Sequence, residues 1–141
     1  MGFLVSIMKG NDMEDVKSAS GIPFKVSVSF LPLRLAAMKD NKVSLTVRVT
    51  NISGQDQLVS VDASLPRNQL VGFDPTCINK NIEKKVGQLK SGETTEVMLP
   101  VWGNNQSKEG NYPIDVTVYA HYLDYTKVIN SVRKSASLRV V

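Results

Sequence analysis

The chain has one cysteine and one histidine in 141 residues. A lone thiol, Cys77, excludes an internal disulfide, so the fold has to hold by packing alone. A single histidine, His121, excludes His-rich metal sites and weakens any catalytic triad. No run of five or more Lys and Arg occurs, which excludes a dedicated nucleic-acid arm and predicts no nucleic-acid partner. There is no Gly-rich phosphate loop. Long apolar runs are missing as well. Phe3-Leu4-Val5-Ser6-Ile7-Met8 is too short to span a membrane, so no transmembrane segment is expected. No basic residue precedes that run and no clear cleavage site follows it. It is therefore a poor signal peptide, which favours a cytoplasmic location. Met1-Gly2 with Ser6 meets a loose myristoylation pattern that chance often produces.

What is present is ordinary for a globular domain: 42% hydrophobic residues, 21% charged, and a mild net charge of +4. The length is that of one domain with a core large enough to fold without staples. The informative feature is alternation. Ile114, Val116, Val118, Ala120 and Tyr122 take one phase of a strand, and Asp115, Thr117, Tyr119 and His121 take the other. Gly110-Asn111-Tyr112-Pro113 supplies the turn chemistry before it.

The same period of two recurs along the chain. Phe24, Val26, Val28 and Phe30 predict a strand that Pro32 interrupts, as where a strand changes sheets. Val43 to Val49, Val59 to Leu65 and Thr95 to Val101 predict three more. Pro100 cannot donate to a ladder, so its strand is expected at a sheet edge or a bulge. Short strands are expected near Leu70–Phe73 and Ile82–Leu89. A last strand carries Val128, Val132, Ala136, Leu138 and Val140 on one phase, with Lys134 on that same phase marking a bulge or sheet end. Short strands, frequent turns and no long helix predict an all-β, immunoglobulin-like β-sandwich of seven to nine antiparallel strands in two sheets. It should span residues 24–141. Residues 1–23 form an N-terminal extension: a short strand or mobile leader, with a helical turn near Met13–Lys17 as one option.

The order of these elements resembles a family. Val43 to Val49 is followed by Asn51-Ile52-Ser53-Gly54 and a strand ending at Pro66. Val86-Gly87-Gln88-Leu89-Lys90-Ser91-Gly92-Glu93 and Gly110-Asn111-Tyr112-Pro113-Ile114 come next. The series resembles the CARDB-type immunoglobulin-like modules of bacterial and archaeal surface proteins and carbohydrate-active enzymes. That resemblance implies an adhesion, spacer or protein-binding role, a cell-surface setting and no catalytic residues.

The candidate residues follow from phase and residue type. Asp115, Thr117, Tyr119 and His121 share an outward face, with Tyr125 just beyond it, and Tyr is a good interface anchor. Those five are the candidate binding face. Trp102 is either a lid over the sandwich end or an exposed anchor. Tyr112 fits a tyrosine-corner role, its hydroxyl bonding upstream backbone. No nucleophile–base pair is evident for Cys77 or any serine, and no metal ligand set or cofactor motif stands out. The expected function is a non-catalytic binding or assembly module acting through protein contacts, including self-association by strand addition through residues 3–8. A carbohydrate-associated accessory module and a peptide-motif binder like the clathrin-adaptor appendages are the alternatives. Two sequons, at Asn51 and Asn105, fall in predicted turns.

Overall fold

The computed structural model describes residues 21–141. The expectations placed on residues 1–20, namely an added strand, a helical turn and the lipidation pattern, lie outside the described residues. The described chain forms the strands β1 (Phe24–Leu31), β2 (Arg34–Leu35), β3 (Asn41–Asn51), β4 (Gln57–Ser64), β5 (Val71–Gly72), β6 (Asn81–Leu89), β7 (Thr94–Gly103), β8 (Gly110–His121) and β9 (Val128–Val140). One sheet has the order β1-β3-β7-β5 and the other β2-β9-β8-β4-β6. All pairs are antiparallel except β2 with β9. This is the predicted all-β immunoglobulin-like sandwich, with one parallel pair added. No helix among the described residues is long and apolar enough to cross a membrane.

The alternation explains the layers. Val43, Leu45, Val47 and Val49 of β3 and Val97, Leu99 and Val101 of β7 are buried on the inner face of the four-stranded sheet. Val59, Val61 and Ala63 of β4 and Ile114, Val116, Val118 and Ala120 of β8 are buried on the facing sheet. Each fully buried Val, Leu or Ile contributes roughly 1.5–3 kcal/mol relative to exposure. A thiol-poor chain can therefore hold this core by packing alone. The chain leaves the first sheet after Leu31 and enters the second at Arg34, with Pro32 between, as its missing donor predicts. Among the described residues β5 faces β7 only at Trp102 and Gly103, which leaves β7 an open edge at Pro100.

The turns are tied by side chains. Asn51 is fully buried. Its Nδ2 donates to the carbonyls of Gln55 at 2.8 Å and Leu89 at 2.9 Å. Its Oδ1 accepts from the Ser53 amide at 2.9 Å and the Ser53 hydroxyl at 2.7 Å. One amide thus joins the β3–β4 turn to the end of β6. With both its N–H groups engaged, the Asn51 side chain is closed to glycosylation in the folded protein. Asn105 is exposed.

Two expectations about phase are corrected. The β8–β9 register shifts between Ala120 and His121, where Ile129 is the extra residue on β9. Beyond that bulge the phase of β9 reverses, which sets Val128 opposite His121 on the outward side. Tyr122 is 57% exposed and Val128 54% exposed, so neither faces the core. His121 keeps its outward phase, against Ser60 and Tyr119, but its neighbours cover it to 6% exposure. Of the two readings of Lys134, the sheet end holds and the bulge does not, since β9 is an edge strand at that point among the described residues. Lys134 lies opposite Val116 on the inward phase and is exposed because β2 covers β9 only at Arg139 and Val140.

Val116→Asp and Thr117→Asp, one position apart, should separate sharply in chemical denaturation. Val116→Asp puts a carboxylate at a position that is 0% exposed and should cost about 3 kcal/mol or more. Thr117→Asp, beside the Arg133 guanidinium, should cost less than about 1 kcal/mol. Equal losses would contradict the assigned phase.

Candidate functional site

The outer face of the five-stranded sheet is built from rows of directly opposed residues. Ser64 and Asp115 face each other and Ser135 continues the row on β9. Glu83, Asp62, Thr117 and Arg133 form the next row across four strands. Lys85, Ser60, Tyr119 and Ser131 form the third. Polar side chains occur here because each occupies the outward phase of a strand whose other phase is buried. Between the first two rows lies a concavity of about 490 Å³, lined by Asp62, Glu83, Asp115, Thr117 and Tyr119 among others.

The carboxylates on this face are not equivalent. Asp115 accepts from the Ser135 hydroxyl at 2.7 Å and pairs with Arg133 at 2.9 Å. The Ser135 hydrogen bond, then Arg133, hold its carboxyl below the ordinary range. Asp62 is the opposite case. Its Oδ1 is buried and has no hydrogen-bond partner among the described residues. Burial pushes its carboxyl above the ordinary value of 3.8, the Glu83 charge adds to that, and His121 opposes it.

His121 closes one end of the face. Its Nε2 lies 2.7 Å from the Ser60 hydroxyl, and its Nδ1 is buried without a partner among the described residues. The Tyr119 ring lies 6.1 Å away at 41°, and the Tyr125 ring 5.1 Å away, edge-on at 69°. The Lys85 ammonium sits 5.3 Å from the Tyr125 centroid. The structure thus contains a Ser–His contact that the sequence did not reveal. Ser60 is 0% exposed, so its hydroxyl faces no solvent from which a substrate could approach. The Ser60 hydroxyl instead satisfies a buried ring nitrogen.

All five candidate face residues are gathered here with their roles divided. Asp115, Thr117 and Tyr119 line the concavity, while His121 is packed beneath Tyr119 and Tyr125. Tyr125 comes from the β8–β9 turn and covers the histidine. Trp102 belongs elsewhere. It lies half-buried on the outer face of the other sheet, opposite Lys42, whose ammonium is 5.0 Å from the ring centroid. Tyr112 is buried and its hydroxyl donates to the Lys108 carbonyl. Cys77 is buried, its thiol donates to the Trp102 carbonyl at 3.3 Å, and burial pushes its pKa up. The sequence reading missed Ser60, Asp62 and Glu83. Their outward phase was readable, but the pairing of β4 with β8 and β6 that sets them beside Tyr119 was not. Among the described residues no group of three or more His, Cys, Asp or Glu is placed to hold a metal ion.

No family model and no curated protein matches the sequence. Solved structures do match the fold. The C-terminal part of Escherichia coli alpha-2-macroglobulin is similar at a TM-score of 0.60 and 18% identity, over 84% of this chain and 16% of that one. A FixG-related protein from Vibrio parahaemolyticus is similar at 0.52 and 14% identity, over 84% and 97%. The CARDB domain of a Pyrococcus furiosus protein, solved in complex with di-metal ions, is similar at 0.50 and 16% identity, over 84% and 87%. This chain therefore spans a small part of the macroglobulin fragment and nearly the whole of the other two. These likenesses define an immunoglobulin-like module that resembles CARDB domains.

Asp62 has a consequence for stability. A raised native pKa means that the folded state holds the proton more tightly, so ionising Asp62 costs stability. That cost is absent below about pH 3.8 and develops as pH rises through the native value. Asp62→Asn should therefore raise the melting temperature at pH 7, by an amount that shrinks toward zero as pH falls to 4. A variant less stable than the parent at pH 7 would contradict this assignment.

Proposed function

We propose that this chain is a non-catalytic binding module that meets a protein partner on the outer face of its five-stranded sheet. The observation that carries the reading is the orphaned Asp62 Oδ1 at the wall of a 490 Å³ concavity, next to Tyr119. A buried acceptor left without a donor costs about 1–3 kcal/mol. A partner that inserts a Lys, an Arg or a backbone N–H recovers that cost and gains the Tyr119 ring as an anchor. The likeness to macroglobulin and CARDB modules supports a modular, non-enzymatic role. So do the buried Ser60 and the burial-raised Cys77 thiol, neither of which is a ready nucleophile.

A sugar-binding platform is less well supported. It calls for coplanar exposed aromatics, whereas Tyr119 and Tyr125 are tilted differently about His121 and Trp102 lies on the other sheet. Affinity capture from source-cell extract tests the protein-binding reading. Three baits are compared: wild type, Thr117→Arg, and Thr46→Arg on the outer face of the other sheet. A partner held by wild type and Thr46→Arg, and reduced at least tenfold by Thr117→Arg, is the expected outcome. Equal retention by all three would overturn the proposed face.

A further inference from the structure

We propose that one end of the sandwich docks on an anionic lipid surface, with aliphatic loop tips entering the headgroup layer and basic side chains holding the lipid phosphates. This end lies away from the concavity assigned above, and its failure would leave that assignment untouched. The β1–β2 link, the β2–β3 turn, the loops flanking β5 and the β7–β8 loop converge here, where β3 begins opposite the end of β7 and β5. Hydrogen bonds tie them together. The Met38 amide donates to the Ser107 carbonyl at 2.8 Å, and the Ser107 hydroxyl donates to the Leu70 carbonyl. The Val141 amide donates to the Leu35 carbonyl at 2.9 Å, which brings the end of β9 to the same place.

Leu31, Leu33, Met38 and Ile78 stand at this end, each between 65% and 78% exposed. Two of these tips are held in place. Met38 has a φ of 58°, a left-handed conformation that non-glycine residues rarely adopt. Its turn is fixed by Asn41, whose Oδ1 accepts from the Ala36 amide at 2.8 Å and whose Nδ2 donates to the Ala36 carbonyl at 3.0 Å. Ile78 follows Cys77, which has a φ of 60° and packs directly against Gly72. The Cys77 amide closes that loop on the Asp74 carbonyl at 2.9 Å. Fixed backbone thus presents Met38 and Ile78 to solvent.

The charges around the tips are mostly of one sign. Arg34, Lys39, Arg67, Lys108 and Arg139 are exposed here, against Asp40, Asp74 and Glu109. Asp74 is already engaged by the Thr76 hydroxyl and by the Asn79 amide at 2.9 Å. The ion pairs among the described residues, Arg48 with Glu96 and Arg133 with Asp115, include none of the five cations. Arg34 and Arg139 lie directly opposite each other across β2 and β9, and Asn111 continues the row on β8. Like charges so opposed repel, and a phosphate between them turns that repulsion into paired hydrogen bonds. At the opposite end the β8–β9 tip also exposes apolar side chains, but its Lys127 is balanced by Asp124 in the same turn.

A lipid surface fits these tips better than a protein does. Protein hot spots favour Trp, Tyr and Arg and use Leu sparingly, whereas a headgroup layer takes up aliphatic area of any shape and adds attraction for each nearby cation.

Sedimentation of the full-length chain with vesicles tests the proposal, using phosphatidylcholine alone and phosphatidylcholine mixed with phosphatidylserine. The chain should bind the mixed vesicles at least tenfold more tightly than the neutral ones, and the excess should fall as salt is raised. Met38→Asp and Arg139→Glu should each weaken binding to the mixed vesicles by about tenfold or more, and Leu123→Asp at the opposite end by less than twofold. All three positions are exposed, so circular dichroism should show the fold intact in each variant. No binding to the mixed vesicles, or equal effects of Met38→Asp and Leu123→Asp, would overturn the proposal. Inorganic phosphate that binds the parent but not Arg139→Glu, with vesicles left unbound, would overturn it in favour of a free anion. A protein captured by the parent and lost from Met38→Asp, again with vesicles unbound, would overturn it in favour of a protein contact.

Discussion

Every layer of this molecule depends on the period of two along β8, held between β4 and β9. Its inward residues, Ile114, Val116, Val118 and Ala120, are fully buried, and the residues between them form the centre of the outer face. One alternation therefore makes both the core and the polar outer face. The two cannot be varied independently, since a one-residue slip would exchange them. The bulge at Ile129 is where the alternation stops, and its position sets the limit of the face. Before it, side chains sort cleanly into core and surface. Beyond it, His121 turns under its aromatic neighbours and the β8–β9 tip carries exposed Tyr122 and Leu123.

A sandwich without disulfides has to close its ends by other means. Asn51 does so at one end with four hydrogen bonds, and Tyr112 and Ser107 do so at the other. Ser107 is fully buried, donates to the Leu70 carbonyl and accepts from the Asn104 amide. These side chains stand in for backbone partners that the turns cannot supply. The polar outer face is maintained differently. Asp115 is locked by Arg133 and Ser135, while Asp62 two residues along on the neighbouring strand is left unpaired. A fixed and an unfixed carboxylate side by side make a surface that is ordered yet still short of one donor.

Much of this architecture was legible in the residues. The apolar alternations at Val43–Val49, Val59–Leu65 and Ile114–Ala120 mark strands because a half-buried sheet imposes that period. Pro32 and Pro100 mark a sheet change and an open edge because neither can donate to a ladder. The burial of His121 and the exposure of Tyr122 and Val128 were not legible. A bulge depends on how two strands meet, and nothing in either strand alone announces it. The same limit hid Ser60 and Asp62. Their outward phase follows from β4, but their position beside Tyr119 follows from a pairing across 61 residues of sequence between Ser60 and His121. Non-local register, in short, places the site, whereas local pattern builds the scaffold.

The central claim is that the outer face of the five-stranded sheet, rather than that of the four-stranded sheet, is the surface this module presents. Site-specific photo-crosslinking tests it most directly. A benzophenone side chain is introduced at position 117, at the centre of the β4–β8–β9 face, or at position 46 on β3 of the other sheet. After irradiation in source-cell extract, position 117 should yield a discrete adduct that is lost when Tyr119 is replaced by Ala, and position 46 should yield none. Adducts from position 46, with none from position 117, would contradict the account.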